Sequence, residues 1–407
     1  MPRRALNLLF VGPKIPYPAN DGGRIAIFEP MHHLVARGHR VAYLGFGSQQ
    51  AAEQLTAEAH LMWARAVPHD TRTRALPAAM ALFSHLPYTA AKYSAAPMFA
   101  ALEEVLNSQS FDVVQLENSH MAHYLDAVQR RGVPAVLRLT NVEALVAERF
   151  AQTAPFPLSA YVRLQARRMR RFEQRAIGAA DLTLAVTPQD AQRCTELEPR
   201  AHVAVVPVGA DVHRPISSVG EEPGTLLYVG ALDWPPNVDS LRWFKSSIWP
   251  LVRRQRPEAR WLIVGRDPPA DILRWPAGDP AITVTGKVPE IGPYWSQAAM
   301  VVVPLRSGGG MRVKIIEAFA MGKAVVTTGI GIEGIGASDG EHYLLADGAA
   351  DFAAQVVRLL DSPLERRRLG AAARAFVEAQ FGWEQVVSGL ESLYLELLDR
   401  PNPARAG

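Results

Sequence analysis

The sequence predicts an α/β protein built from two doubly wound parallel sheets. Three observations carry that expectation. Short apolar runs of strand length alternate with helical stretches along most of the chain. A second series of such runs begins after 215–224, a stretch with two prolines, two glycines and no apolar periodicity. A chain of 407 residues is also long enough for two domains that each bury a core.

The elements follow in order. A first strand is expected over 6–11, then a loop with Pro13, Pro16 and Pro18 that closes on Gly22 and Gly23. A helix over 24–37 comes next, with Ile27, Met31, Leu34 and Val35 as its apolar stripe and Gly38 ending it. The strand at 40–46 completes a βαβ unit. Residues 51–106 read as mostly helical, with breaks near Pro68, Pro77 and Pro87. Buried strands are expected at 112–116, 135–139 and 182–186. The second series runs through 225–229, 260–264, 281–285, 300–305 and 324–328. Helices at 351–360, 364–380 and 383–398 close the chain. Both halves therefore read as Rossmann-like, with expected boundaries at 1–213, 214–380 and a terminal helical segment 381–407.

The richest stretch is 300–328, MVVVPLRSGGGMRVKIIEAFAMGKAVVTT. It reads as strand, glycine loop, short helix and strand, with Gly322 as the helix stop. Ligands of doubly wound sheets collect at the carboxyl ends of the strands, where Ser307, Gly308, Gly309 and Gly310 fall. Glycines let backbone N–H groups approach an anion, and the helix N-terminus adds partial positive charge. Arg312 and Lys314 in the first turn oppose the helix dipole, which points to an anion that outweighs that cost. Glu317 is able to accept bonds from sugar hydroxyls. Tight packing of the glycines and an ordinary solvated Lys–Glu pair form the competing reading.

Composition narrows the class. With 48% hydrophobic and 20% charged residues the chain is globular, not disordered. One cysteine, Cys194, excludes an internal disulfide and a cysteine-based metal site and fits a reducing compartment. A net charge of +3 is mild for this size and does not imply nucleic acid. The apolar run after the opening arginines is short for a signal peptide, and no run is long enough to span a bilayer. The expectation is a cytoplasmic protein, soluble or on the inner face of the membrane. One basic cluster stands out over 163–175, with arginines at 163, 167, 168, 170, 171 and 175 against Glu173 alone. Its apolar residues fall at helical spacing, so it reads as a basic amphipathic helix. It rests on anionic lipid, attracts an anionic acceptor, or is a solvated outer face.

The segment PLRSGGGMRVKIIEAFAMGKAVVTT resembles the donor site of retaining glycosyltransferases of family 4, which have the GT-B fold. More narrowly, it is similar to a bacterial branch that includes transferases linked to exopolysaccharide and exosortase gene clusters. PYPANDGGRIAIFEPMHHLVARGHRV, FDVVQLENS, AADLTLAVTPQD, VAVVPVGADVHRP, LLYVGALDWPPNVDSLRWF, ITVTGKV and FGWEQVVSGLESLYLEL match in the same order, and 51–110 is the least similar part.

The resemblance implies two Rossmann-like domains facing across a cleft, with the last helix packing back on the first. It also implies transfer of a sugar, of the hexosyltransferase type, from a nucleotide-diphosphate sugar to a glycan or lipid-linked acceptor. The anomeric configuration would be retained, and the pathway would be cell-surface polysaccharide or glycoconjugate biosynthesis. The nucleotide sugar is a co-substrate; no cofactor and no metal are required. Glu317 would hold the nucleotide ribose, and the backbone from Gly286 to Val288 would flank the base. Gly308, Gly309, Gly310, Arg312 and Lys314 are expected to stabilise the leaving diphosphate, with Gly22 and Gly23 closing over the phosphates from the first domain. His213 to Gly224 is the expected hinge of closure on the donor.

Several positions depart from the family. Of a usual pair of glutamates, Glu317 is the second, and Gly309 stands at the first. Ala231, after Gly230, occupies the place of a frequent phosphate-binding arginine, and no lysine follows, so Arg312 and Lys314 are expected to take over. Glu117 aligns with a position that is often histidine near the acceptor. It is a general base, an acceptor ligand or a buried structural glutamate, with Asn118 and His120 as neighbouring alternatives. Asn141 and Glu143 are expected on the same side. A non-catalytic GT-B protein that binds a sugar nucleotide as a partner subunit is the rival reading. A dinucleotide oxidoreductase is a distant third. Gly329, Gly331 and Gly334 satisfy the spacing of a dinucleotide loop, but 335–340 is poor helix sequence.

Overall fold

In the computed structural model residues 4–72, 74, 80–213 and 220–400 are described. The chain divides into two compact units, Met1–Pro207 with Glu384–Gly407, and Val208–Trp383.

The first unit holds seven strands: β1 (Asn7–Gly12), β2 (Arg40–Phe46), β3 (Trp63–Val67), β4 (Val113–Glu117), β5 (Ala135–Leu139), β6 (Leu182–Ala185) and β7 (Val203–Val205). Every pairing is parallel, in the order β3-β2-β1-β4-β5-β6-β7. The winding reverses between β1 and β4, which creates a crevice at their carboxyl ends. Five strands coincide closely with apolar runs in the sequence. The two edge strands do not. WARAV of β3 lies in a stretch that reads as helical, and VAV of β7 is three residues long. Both are only partly buried, so neither shows the continuous apolar run of a strand covered on both faces.

Period-two alternation splits β4 between two environments. Val114 and Leu116 enter the main core with Leu9, Leu44, Leu137 and the helix Ala96–Ser108. Gln115 and Glu117 point the other way, where helices Gly22–Ala36 and Trp383–Asp399 lie. Tyr394 of the last helix donates to Gln115 Oε1 at 2.5 Å, and Gln115 Nε2 donates to Glu117 Oε1 at 2.7 Å. Arg138 of β5 sits 3.6 Å from Glu117, with both side chains almost fully buried. Arg138 Nη1 also donates to the carbonyl of Ala26. That carbonyl lies four residues before Pro30, inside the helix Gly22–Ala36. Proline has no N–H to return to it, so the buried guanidinium replaces the missing helical bond. The last helix is fixed to the same unit at its outer edge, where Arg37 Nε donates to Glu391 at 2.9 Å.

The second unit contains β8 (Thr225–Val229), β9 (Arg260–Val264), β10 (Ile282–Val284), β11 (Met300–Val303), β12 (Ala324–Thr327) and β13 (Leu344–Leu345). They are parallel throughout, in the order β10-β9-β8-β11-β12-β13, with the reversal between β8 and β11. One face packs Phe244, Trp249, Trp261 and Phe352; the other packs Val301, Val303, Ile315 and Phe319.

The division between units falls at Pro207, earlier than the expected boundary at 213. The reason is packing. Ala210 N donates to Phe381 O at 2.8 Å, and Gly209 lies so close to Trp383 that a Cβ there would meet the indole at 2.6 Å. Arg374 donates to Val212 O at 3.2 Å. The chain has therefore joined the second unit before the proline-rich break. For the same reason Phe381 and Trp383 belong to the second unit, and the returning segment starts at Glu384. Residues 214–219 of the expected hinge lie outside the described residues.

Candidate functional site

In the second unit the loop between β11 and the helix Val313–Ala320 forms one wall of the crevice at the β8/β11 reversal. Gly308 and Gly310 have φ of +128° and +69°, which a side chain would strain. Arg306, just before the loop, is committed elsewhere: its guanidinium grips Asp239 at 3.0 and 2.5 Å. Arg312 folds back into the loop and donates to the carbonyls of Gly309 and Gly310, the latter at 2.8 Å. With 4% of its surface exposed, Arg312 shapes the loop and supplies positive field from beneath. The loop's own carbonyls hold Nη1, so Arg312 is placed to act on an anion through the field under the loop.

Lys314 is the cation aimed at the crevice. Its Nζ donates to Asn237 Oδ1 at 2.9 Å and Tyr228 Oη at 3.1 Å, and lies 4.3 Å from the Tyr228 ring centre. A Cβ added at Gly230, just past β8, would stand 2.8 Å from Nζ. The lysine thus reaches from the helix to the place beside Ala231. Desolvation, then the nearby Arg312 charge, lowers its pKa to about 7, against a smaller opposing effect of Glu317. A bound anion would reverse that shift. Glu317 is half-buried one turn further along the same helix. Gly286 has φ +69° after β10, and its carbonyl accepts from the Thr285 hydroxyl at 3.0 Å. Val288 packs its side chain against the core, so the loop offers backbone to a ligand.

Gly308 makes a sharp test of the loop. A Cβ there would lie 2.9 Å from Arg312 Nη2 and 3.1 Å from Trp234. Gly308→Ala is expected to displace Arg312 and weaken nucleoside diphosphate binding about tenfold or more, since ~1–3 kcal/mol of charge-assisted bonding depends on the loop. Isothermal titration against wild type measures it.

In the first unit the crevice between β1 and β4 has two walls. Gly22 and Gly23 begin the helix Gly22–Ala36 instead of preceding it, because Asp21 caps it by accepting from Arg24 N at 2.9 Å. Lys14 Nζ lies 3.4 Å from the Asp21 carboxylate, close to Gly23. Lys14 and Arg24 carry no signal that singles them out in sequence, since both sit among prolines and ordinary helix residues.

The second wall follows β4 and β5. Glu117 is not on it: the carboxylate is fully buried, burial raises its pKa, and Arg138 and Gln115 hold it. Its acceptor-side expectation is replaced by the structural alternative. Asn118, the next residue, has φ +70°, and its Oδ1 accepts from Thr140 Oγ1 at 2.5 Å, which joins the ends of the two strands. His120 comes within 5.1 Å of the Tyr93 ring, between centroids. Burial, then the charges of Lys92 and His123, lower its pKa to about 3, so the imidazole is neutral at physiological pH. Asn141 Nδ2 donates to Glu143 Oε1 at 3.4 Å. Burial raises the Glu143 pKa, partly offset by Asn141 and Lys92. Glu173, the single acid of the arginine-rich segment, accepts from the backbone N–H of Glu143 at 2.8 Å and of Ala144 at 3.0 Å. It caps the helix Glu143–Thr153 and orients Glu143; burial pushes its own pKa up to about 8. The structure thus brings His120, Asn141 and Glu143 together. It adds Lys92 and Tyr93, which come from the segment of weakest sequence signal.

Comparison with known proteins gives a matching picture. The family model described as Glycosyl transferase 4-like domain matches residues 22–209, and that described as Glycosyl transferases group 1 matches residues 223–362. An uncharacterized 44.6 kDa protein in the cps region of Klebsiella pneumoniae is 22% identical over 172 residues, 40% of this chain. The match spans 44% of that relative's length. Among solved structures, sucrose-phosphate synthase from Thermosynechococcus elongatus superposes with a TM-score of 0.69 at 17% identity, covering 96% of this chain and 99% of the other. Anabaena HepE, crystallised with UDP-glucose, superposes with a TM-score of 0.69 at 11% identity, covering 96% and 100%. At such identities these structures speak for the fold, which is GT-B. The two family models together account for most of the chain, each lying on one of its doubly wound units, and the chain belongs to the GT-B glycosyltransferases of the family 4 type.

Proposed function

We propose that the chain transfers a hexosyl group from a nucleoside diphosphate sugar to a hydroxyl of a glycan or lipid-linked acceptor, with retention, in cell-surface polysaccharide or glycoconjugate biosynthesis. The observation that carries the reading is the lysine of lowered pKa at the carboxyl end of β8, enclosed by a glycine loop with a buried arginine beneath it. HepE, of the same fold, was crystallised with UDP-glucose, and the Klebsiella relative lies in a cps region.

In this reading the bond from the anomeric carbon to the diphosphate oxygen breaks, and the acceptor oxygen bonds to that carbon. Negative charge collects on the departing diphosphate. Lys314 and the loop N–H groups stabilise it, which is the electrostatic part of catalysis and requires no metal. Glu317 holds the ribose, the backbone from Gly286 to Val288 flanks the base, and Gly22 and Gly23 lie against the phosphates. On the first unit Glu143, with a raised pKa and oriented by Glu173, takes the acceptor proton, while neutral His120 and Asn141 orient the hydroxyl.

The decisive experiment incubates the protein with a panel of nucleoside diphosphate sugars without acceptor. Slow release of nucleoside diphosphate is expected. Binding with no release from any of them would instead mark a sugar-nucleotide-binding partner protein. Glu143→Gln is expected to lower transfer by roughly 10²–10⁴-fold while donor affinity is unchanged. A fall confined to acceptor KM would make Glu143 a positioning residue.

A further inference from the structure

The exposed apolar side chains are not scattered evenly. Among the described residues eleven large hydrophobic side chains are exposed, and six of them are Met80, Leu82, Phe83, Leu86, Phe156 and Leu158. Phe83 is 93% exposed and Phe156 84%. A soluble surface gains nothing from two bare phenylalanines, and clustered exposure of this kind marks a contact surface.

All six border one helix, Leu158–Ala179. Phe156 and Leu158 lie at its start. The segment carrying the other four is fastened to its side. Arg168 donates to Ala81 O at 2.5 Å and Leu82 O at 2.8 Å, and Tyr88 N donates to Gln165 Oε1 at 2.9 Å. The helix buries Ala166, Met169, Glu173, Ala176 and Ile177 and turns Arg163, Arg167, Arg170, Arg171 and Arg175 outward. Arg167, Arg171 and Arg175 recur every fourth residue, so they form a row adjacent to that of Arg168, on which the apolar segment is hung. The one acid of this stretch, Glu173, is sealed beneath as the cap of Glu143–Thr153 and does not dilute the outward charge.

We infer that this face of the first unit docks on an anionic lipid bilayer. The arginine row meets the phosphate headgroups, and Phe83, Phe156 and their neighbours enter the boundary with the acyl chains. Charge complementarity commits the surface to an anionic partner, and the bare aromatic rings commit it to one with an apolar layer behind the charge. A polyanionic glycan offers the first without the second. No described helix is long and apolar enough to cross a membrane, so contact would be made from the surface. This inference goes beyond the transfer reading and does not depend on it.

The test is co-sedimentation of the full chain with vesicles of phosphatidylglycerol and phosphatidylcholine in equal parts, and with vesicles of phosphatidylcholine alone. Binding to the first and much weaker binding to the second are expected. Reversing Arg167, Arg171 and Arg175 to Glu should weaken partition by about 100-fold or more, at roughly fivefold per basic side chain removed. Phe83→Ser and Phe156→Ser should each cost about tenfold. In Phe83→Trp the emission should shift to the blue on phosphatidylglycerol vesicles. Absence of wild-type binding to phosphatidylglycerol vesicles would overturn the inference. So would loss on arginine reversal with no effect of the phenylalanine changes, which would reveal a general polyanion surface. Nucleoside diphosphate binding, measured in solution on the same variants, should be unchanged. It reports on the transfer reading separately.

Discussion

Lys314→Ala is expected to lower affinity for a nucleoside diphosphate by about 1–3 kcal/mol, roughly 5–150-fold, with little effect on the corresponding nucleoside. The asymmetry follows from where the ammonium sits, beside Gly230 and against Asn237 and Tyr228 at the end of β8. Equal losses for both ligands would place the diphosphate elsewhere. The same lysine gives the binding a pH signature. Its pKa in the free protein is lowered to about 7 by desolvation and by Arg312. A bound dianion raises it again, so binding takes up a proton. Affinity should therefore fall as pH rises above about 7, by up to about tenfold per unit. Titrations at pH 8 in buffers of different ionisation enthalpy should show uptake of close to one proton in the wild type and none in Lys314→Met. Stability without ligand runs the other way. Between pH 7 and 10.5 the unfolded chain keeps a proton on Lys314 that the folded chain has lost, so this lysine's contribution to stability improves as pH rises.

Arg138→Met should be the most destabilising change in the first unit. It leaves Glu117 as an unpaired carboxylate in the interior and Ala26 O, opposite Pro30, without its donor. Breaking a buried pair in this manner costs about 3–5 kcal/mol. For a domain of this size that is a fall in Tm on the order of 10 °C. Burial already raises the Glu117 pKa above 4.5, and loss of the guanidinium raises it further. The folded variant then keeps a proton that the unfolded chain releases, so its deficit should grow as pH rises above about 4.5. The double variant Glu117→Gln, Arg138→Met should recover part of the loss, because a neutral amide replaces the stranded charge. Thermal melts of the three proteins across pH measure each step. If Arg138→Met melts like the wild type, the network does not support the helix Gly22–Ala36.

Much of the scaffold was legible because its signals are local. Central strands such as VVQLE and RWLIV are buried on both faces, so their apolar runs name them. Gly38 and Gly322, at φ +93° and +62°, end their helices as their positions in the sequence indicate. The turn at 307–310 was legible as well, since its glycines stand between a strand and a helix and two of them, Gly308 and Gly310, take positive φ. WARAV and VAV were not legible, because an edge strand needs no unbroken apolar run.

The chain's linear order thus determined the two doubly wound sheets, most of their strands and the glycine loop between β11 and its helix. It did so because strand periodicity and turn chemistry act over a few residues. Tertiary structure alone decided which charges are available. Arg312 and Lys314 are two residues apart, yet one is bound to its own loop and the other reaches across to β8. Glu117 stands where an acceptor-facing residue was expected, yet it pairs with Arg138, whose other bond repairs the gap left by Pro30. Glu173, one acid among six arginines, turns inward to cap the helix that carries Glu143. For Lys314, Glu117 and Glu173 the role depends on a partner far away in the sequence, and desolvation there shifts each pKa from its ordinary value.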